Sequence, residues 1–160
     1  MVTIETLTPL DIRPLRPGDA ASLGKMQSSS SPDYLQYFKP FAFDELTLRK
    51  LLTAACRDQY WGIWYGPQLT AFFMLRGLDQ GYEVPSFGVL VAEAYAGRGL
   101  LKLSLAFAIT WCRLNRISKI MLKVHPANTA ARLQYERHRF EQTGIDPATG
   151  HIVYHRDLLV

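Results

Sequence analysis

Apolar residues recur along this chain with two spacings, the alternation typical of strands and the period of three to four residues typical of amphipathic helices. The most informative stretch is 87–115. There an apolar run from Phe87 to Ala92 is followed by a Gly97-Arg98-Gly99 turn and by an apolar helix pattern that begins at about Leu100. A helix that is apolar nearly all round is covered on more than one side. We therefore expect a buried strand and a buried helix at the centre of the fold.

The rest of the chain alternates between strand and helix patterns. The predicted order of elements over the whole chain is β-α-α-β-β-β-α-β-α-β-β. Outside the central stretch these elements are a strand at Ile12–Leu15, a helix capped by Asp19, a helix over 44–56, a hairpin of Tyr60–Tyr65 and Leu69–Arg76, a strand at Lys119–Val124, a helix capped by Asn128 or Thr129, and strands at Glu141–Ile145 and Gly150–Leu159. Residues 28–43 have no clean period but contain five aromatic residues, so they either pack as a short helix or line a cleft.

Composition limits the kind of protein without identifying it. The chain has 160 residues, the length of a single domain over 1–160. Its 18 basic and 14 acidic residues give a net charge of +4. This balance favours an anionic ligand, and it does not distinguish coenzyme A from nucleic acid or a sugar nucleotide. Because the lysines and arginines are scattered along the chain, we expect no nucleic-acid partner.

The sequence also predicts a compartment. No run of about 18 apolar residues is present to span a membrane, and the first residues lack the apolar core of a signal peptide. Cys56 and Cys112 both lie in apolar helical patterns and form no C-x-x-C pair. We therefore expect packed free thiols, a cytoplasmic location and no membrane partner.

The Gly97-Arg98-Gly99 turn has the chemistry of an anion site. The first N–H groups of a helix have no partner within the helix, and glycine lets a ligand approach the backbone closely. Arg98 adds a positive charge beside them. The spacing does not fit the dinucleotide fingerprint G-x-G-x-x-G, because Lys102 stands where the third glycine would be, and no P-loop motif occurs in the chain.

A strand followed by G-x-G and a helix resembles the acyl-CoA loop of the GCN5-related N-acetyltransferases, the GNAT superfamily. A second stretch resembles the family's signature N-x-x-A-x-x-L-Y-x-x-x-G-F, with Asn128, Ala131, Tyr135 and Phe140 in register. The resemblance covers nearly the whole chain. It implies an α/β (α+β) fold, with a mixed sheet of six to seven strands that is splayed at the middle and flanked by about four helices. It also implies acetyl-CoA as co-substrate, with no metal.

The same resemblance assigns binding roles. Backbone groups of Leu90 and Val91 would pair with the pantetheine arm of the cofactor, and Asn128 would contact the cofactor from the other side. The diphosphate would be held by the loop residues Gly97, Arg98, Gly99, Leu100 and Leu101. The acceptor would be contacted by residues of the aromatic stretch, namely Asp33, Tyr34, Tyr37 and Phe38.

Two residues are expected to carry the chemistry. Tyr135 falls where the family places the tyrosine that serves as general acid to the CoA thiolate. Glu83 matches the place of a glutamate base in some members, although GYEVP also reads as a solvated turn. Glu93 is expected on a solvated face, and His125 either shuttles a proton or has a structural role. No histidine spacing predicts a zinc site.

These residues predict an N-acetyltransferase. It would move an acetyl group from acetyl-CoA to a primary amine of a small metabolite, an amino sugar or a protein, by direct attack in a ternary complex. Ala94 and Leu101 depart from the family pattern. They leave open a second interpretation, a non-catalytic acyl-CoA-binding regulatory module. The sequence is compatible with a monomer or a homodimer.

Overall fold

The computed structural model describes residues 5–159, in which seven strands and five helices are formed. In chain order they are β1 (Leu10–Pro14), α1 (Ala20–Ser28), α2 (Pro32–Leu35), α3 (Glu45–Ala54), β2 (Gln59–Tyr65), β3 (Gln68–Arg76), β4 (Ser86–Val91), α4 (Leu100–Leu114), β5 (Lys119–Val124), α5 (Thr129–Arg137), β6 (Glu141–Ile145) and β7 (Ile152–Asp157). The predicted α/β class is confirmed. The helix beyond the four predicted is α2, which lies in the aromatic stretch 28–43.

The strands form one mixed sheet in the order β1-β2-β3-β4-β5-β7-β6. Neighbouring strands are antiparallel except for β4 and β5, which run parallel. β4 and β5 pair only at Ser86 and Met121, where the Met121 N–H donates to the Pro85 carbonyl at 3.0 Å. Beyond this point the two strands separate. The predicted splay at the middle of the sheet is therefore confirmed.

β3 is buried on both faces because helices pack on both sides of the sheet at its centre. Side chains of a strand point alternately to the two faces, so the adjacent Phe72 and Phe73 enter different cores, and both are 0% exposed. The Phe73 ring stacks on Trp61 with 5.2 Å between centroids, in the core under α4 and α5. Phe72 packs in the opposite core, under α1 and α3. The sheet is thus covered by helices on both faces at its centre.

Polar side chains cap three of the helices. Asp44 caps α3, Ser31 caps α2 and Asn128 caps α5, each by accepting a first-turn N–H at 2.9, 3.3 and 3.2 Å. Such a cap stabilises a helix by roughly 1 kcal/mol, because it satisfies an N–H that the helix itself cannot pair. The predicted cap by Asp44 is confirmed. Of the two caps predicted for α5, Asn128 and Thr129, the structure uses Asn128.

The two cysteines differ in environment. Cys112 is fully buried in the core under α4, and burial raises the pKa of its thiol to about 12. Cys56 is exposed, because α3 ends at Ala54 and the chain then turns towards β2. The prediction of packed free thiols is therefore right for Cys112 and wrong for Cys56.

Candidate active site

A cavity of about 690 Å³ opens where β4 and β5 separate. One wall is formed by the loop before α4 and by the first turn of that helix. α5 forms a second wall, and the stretch that contains α2 closes the side opposite α5. The open sheet thus leaves a groove whose floor is the two diverging strands.

The edge of β4 that faces the cavity carries unpaired peptide groups. The Ala92 N–H donates to the Thr70 carbonyl of β3 at 2.8 Å, which fixes the phase of the antiparallel ladder. Peptide groups alternate between the two edges of a strand. Those of Leu90 therefore face β3, whereas those of Val89 and Val91 face the gap. Of the two residues predicted to pair with the cofactor, Val91 thus presents its peptide groups to the gap, as does its neighbour Val89, whereas Leu90 contributes only to the cavity wall.

The loop before α4 presents free N–H groups to the cavity. The first helical hydrogen bond runs from the Leu103 N–H to the Gly99 carbonyl at 3.0 Å. Within residues 5–159, the N–H groups of residues 99–102 find no acceptor, and no side chain caps the helix. Gly97 and Gly99 have φ of 76° and 88°. A Cβ at either position would meet nothing within 4 Å, so the left-handed backbone rather than crowding is what favours glycine there.

Asn128 and Tyr135 of the second motif both lie on the cavity wall. Asn128 caps α5 with its Oδ1, which accepts the Ala131 N–H. Within residues 5–159 its side-chain NH2 group has no acceptor. Tyr135 is 8% exposed and its ring packs against Phe140. Its hydroxyl makes no hydrogen bond to any residue of the described chain. Burial raises the pKa of Tyr135, so its hydroxyl is a proton donor at neutral pH.

Three of the four predicted acceptor contacts reach the cavity. Tyr34, Tyr37 and Phe38 line it, whereas Asp33 is exposed and lies off the wall. The Tyr34 hydroxyl donates to the Val91 carbonyl at 2.7 Å. Burial and the charge of Glu93 raise the pKa of Tyr34, which keeps this donor protonated. The Tyr34 side chain thus ties the aromatic stretch to the end of β4.

Glu93 adds a second tie, which the sequence did not predict. Its carboxylate accepts from the Ser31 N–H at 2.8 Å and from the Ser31 hydroxyl at 3.2 Å. Its own N–H donates to the Ser30 hydroxyl at 3.0 Å. Glu93 is exposed, as predicted, but its bonds to Ser30 and Ser31 were not predicted. Because the partners are 62 and 63 residues apart in the chain, no local pattern could have indicated this contact.

The predicted base does not reach the cavity. Glu83 lies in the exposed turn before β4, and it is absent from the residues that line the cavity. No aspartate or glutamate is among those lining residues. His125 does line the cavity, but its Nδ1 accepts the Ala127 N–H at 3.1 Å. A neutral His125 ring therefore carries its proton on Nε2, so that nitrogen is a donor and not a base.

Most of the cavity wall comes from a stretch of the chain that is rich in basic residues. Residues 94–140 contain nine lysines and arginines but a single acidic residue, Glu136. Residues 1–93 contain eight basic and ten acidic residues. Lys102 and His138 face the cavity together, and burial, then the Lys102 and Arg156 charges, hold the pKa of His138 below its usual range. The cofactor side of the cavity therefore attracts anions.

Residues 5–159 lack both a metal-binding cluster and a membrane-spanning helix. In that part of the chain no three His, Cys, Asp or Glu side chains are grouped to hold a metal ion. None of its helices has the length and apolarity needed to cross a bilayer.

Comparisons with known proteins agree with this geometry. A family model described as the acetyltransferase (GNAT) family matches residues 25–140. A search of curated proteins found no match. Among solved structures, the PaiA N-acetyltransferase of Thermoplasma acidophilum in complex with coenzyme A has a TM-score of 0.78 at 14% identity, over 93% of this chain and 99% of that one.

Two further solved structures have the same fold. The ribosomal-protein-S18-alanine N-acetyltransferase of Escherichia coli has a TM-score of 0.73 at 15% identity, over 95% of this chain and 96% of that one. A domain from Methanocaldococcus jannaschii has a TM-score of 0.77 at 15% identity, over 94% of this chain and 99% of that one. At these identities the structural similarity establishes the fold alone.

Proposed function

This chain belongs to the acetyltransferase (GNAT) family, and from that premise we propose that it transfers an acetyl group from acetyl-CoA to a primary amine. The observation that carries the proposal is the meeting of three features in one cavity: the free N–H groups of residues 99–102, the unpaired edge of β4 and the Tyr135 hydroxyl. Each corresponds to a different part of an acyl-CoA thioester. The protein is proposed to act as one domain.

The cavity has the donors that acetyl-CoA needs. The loop from Gly97 to Leu101, including Arg98 and Leu100, would hold the diphosphate through free N–H groups at the positive end of α4. The amides of the pantetheine arm would pair with the peptide groups of Val89 and Val91, as an added strand does. The side-chain amide of Asn128 would complete the site from α5.

Tyr135 would act as general acid. When the amine nitrogen attacks the thioester carbonyl in a ternary complex, an N–C bond forms and the C–S bond breaks. The nitrogen gives up one proton to water, and the thiolate of CoA takes one up. The Tyr135 hydroxyl is protonated and bonded to no other described residue, and its side chain lines the cavity, which suits it to supply that proton.

The amine would enter as its free base. Because the cavity wall contains no carboxylate, deprotonation by Glu83 would need a relay of water across the exposed turn. At pH 7, about a tenth of α-amines with a pKa of about 8 are uncharged, against roughly one in 2,500 lysine side chains with a pKa of about 10.4. Low-pKa amines, including protein N-termini and amino sugars, are therefore the proposed acceptors.

The pH dependence of the reaction tests this step. Below the pKa of the acceptor amine, kcat/KM is expected to rise about tenfold per pH unit, because the free-base fraction rises by that factor. Two acceptors with different amine pKa values should give profiles displaced by that difference. If the kcat/KM profile shows the same apparent pKa with both acceptors, a titrating base on the protein would be indicated instead.

The non-catalytic module remains the second candidate, and the absence of a carboxylate from the cavity wall is what favours it. Calorimetry with acetyl-CoA, followed by release of free CoA thiol over a panel of amines, separates the two. Binding without thiol release from any amine would support the module. Absence of acetyl-CoA binding would contradict both candidates.

Tyr135→Phe tests the general acid. It is expected to lower kcat about a hundredfold while acetyl-CoA affinity changes little, because it removes one proton donor and keeps the ring. Tyr82→Phe is the matched control, since Tyr82 is 64% exposed and lies off the cavity wall. Equal turnover of the Tyr135 variant and the control would remove the assigned role.

A further inference from the structure

The end of the cavity nearest β7 carries imidazole and ammonium groups. Lys123 and His125 line the cavity at the end of β5. The ladder pairs Val124 with Ile152, which brings His151 beside His125, and the two rings lie 5.5 Å apart between centroids. We call Lys123 and His125, together with the adjoining His151, which does not itself line the cavity, the basic end of the cavity.

His125 presents a hydrogen-bond donor at this end. Its Nδ1 accepts the Ala127 N–H at 3.1 Å, and its ring packs on Tyr37 with 4.7 Å between centroids. The proton of the neutral ring therefore lies on Nε2, and the charged ring also carries one there. Within residues 5–159, the Nε2 atom has no hydrogen-bond partner. A ligand oxygen in the cavity is the group that it could bind.

The acidic groups nearby are already engaged. Asp146 accepts from Lys123 at 2.8 Å and from the Ala148 N–H at 2.9 Å, and the Lys123 hydrogen bond holds the pKa of Asp146 below its usual range. The Glu93 carboxylate is bound to Ser31. Asp146 offsets the charge of Lys123, whereas neither imidazole has an acidic partner among residues 5–159.

A cationic acceptor would be poorly matched to this cavity. The ammonium groups of a polyamine would find no carboxylate on its wall and would lie within the basic part of the chain, residues 94–140. An acceptor that carries an anion would find donors and a favourable potential instead.

We propose that the acceptor is a primary amine whose molecule also carries a carboxylate or a phosphate, and that this anion binds at the basic end through the Nε2–H of His125. The inference rests on the proposed function, which supplies the amine acetylation. His125 would be a residue that determines specificity. The shared chemistry is an oxyanion, and carboxylate and phosphate acceptors are compared separately below.

Matched acceptor pairs test the proposal. For the carboxylate, Ala-Asp-amide is compared with Ala-Asn-amide, which share the same reacting α-amine. For the phosphate, glucosamine 6-phosphate is compared with glucosamine, and spermidine represents the cations. With kcat/KM expressed per free base, the anionic member of at least one pair is expected to react about tenfold faster, the usual effect of a charge-assisted hydrogen bond.

The variant His125→Phe should abolish that preference. It keeps a ring against Tyr37 and removes the donor, so the anionic acceptor should lose about tenfold and the neutral one little. His155→Phe is the control, because His155 lies on the same sheet, opposite Met121 in the ladder, and does not line the cavity. An equal loss for both members of a pair would overturn the proposal, as would a preference for spermidine.

A second measurement keeps this test separate from the test of acetyl transfer. The same pairs are added to the protein saturated with CoA, and the shift in melting temperature is recorded. A larger shift with the anionic member, lost in His125→Phe, supports the proposal even where no thiol is released. Equal shifts for both members overturn it, whether or not the protein acetylates amines.

Discussion

The two edges of β4 show how one strand can serve structure and binding at once. Towards β3, Ser86–Val91 pair in continuous register with Ala71–Arg76. Towards β5, the pairing stops after Ser86 and Met121. The closed edge fixes the strand in the middle of two cores. The open edge leaves the peptide groups of Val89 and the N–H of Val91 available, while the Val91 carbonyl accepts the Tyr34 hydroxyl. Because the pairing with β3 holds β4 in place, the peptide groups on its open edge keep a fixed geometry.

The largest difference between the two edges of β4 is expected from proline substitutions at the neighbouring residues Leu90 and Val89. Leu90→Pro removes an N–H from the closed ladder and should cost about 3 kcal/mol or more, enough to unfold much of the protein. Val89→Pro removes an N–H from the open edge, where proline is tolerated. We expect Val89→Pro to remain folded and to lose acetyl-CoA affinity, as measured by thermal melts and calorimetry. Equal loss of stability in both variants would contradict the assigned phase of the ladder.

A smaller effect is expected at the loop before α4. Gly99→Ala would place a Cβ at φ of 88°, which costs about 1–2 kcal/mol, or allow the loop to move and disturb its N–H groups. Acetyl-CoA affinity should fall about tenfold. Gly144→Ala is the matched control, because Gly144 is exposed, has no positive φ and has open space at the Cβ position. An unchanged affinity in Gly99→Ala would show that the cofactor does not use this loop.

The smallest effect is expected at the tie between β4 and the aromatic stretch. Glu93→Gln keeps the shape of the side chain but replaces charged acceptors by one neutral oxygen, so Ser31 is held less firmly. The KM for the acceptor should rise several-fold, with kcat and acetyl-CoA affinity nearly unchanged. Glu141→Gln, on exposed β6, serves as control. A loss confined to acetyl-CoA binding would show that Glu93 supports the loop instead of the acceptor wall.

Local motifs predicted more of this molecule than long-range contacts could. The glycine loop, Asn128 and Tyr135 belong to short patterns whose spacing fixes their place on a helix end, and the structure brings them into one cavity. The aromatic stretch was predicted as a short helix or a cleft lining, and it is both. These features depend on neighbours within a few residues in the chain.

Other features depend on geometry that a sequence pattern does not contain. Val89 and Leu90 are both apolar, so only the phase of the ladder decides which of them faces the gap. The position of Glu83 depends on the direction in which the turn before β4 leaves the sheet. The contact of Glu93 with Ser31 joins residues 62 apart. Cys56 was predicted to lie within the third helix, but α3 ends at Ala54 and leaves Cys56 outside it. A sequence pattern locates a helix better than it locates the last turn of that helix.

An unpaired strand edge ordinarily invites other chains to add to it, and proteins usually guard such edges with charge, proline or a bulge. Here the open edge of β4 is recessed between α5 and the stretch that contains α2, with the Tyr34 hydroxyl already on the Val91 carbonyl. A single extended ligand can enter this groove, whereas the edge of another sheet cannot. The recessed position of this edge thus lets β4 expose backbone for recognition without offering it to the sheet of another chain.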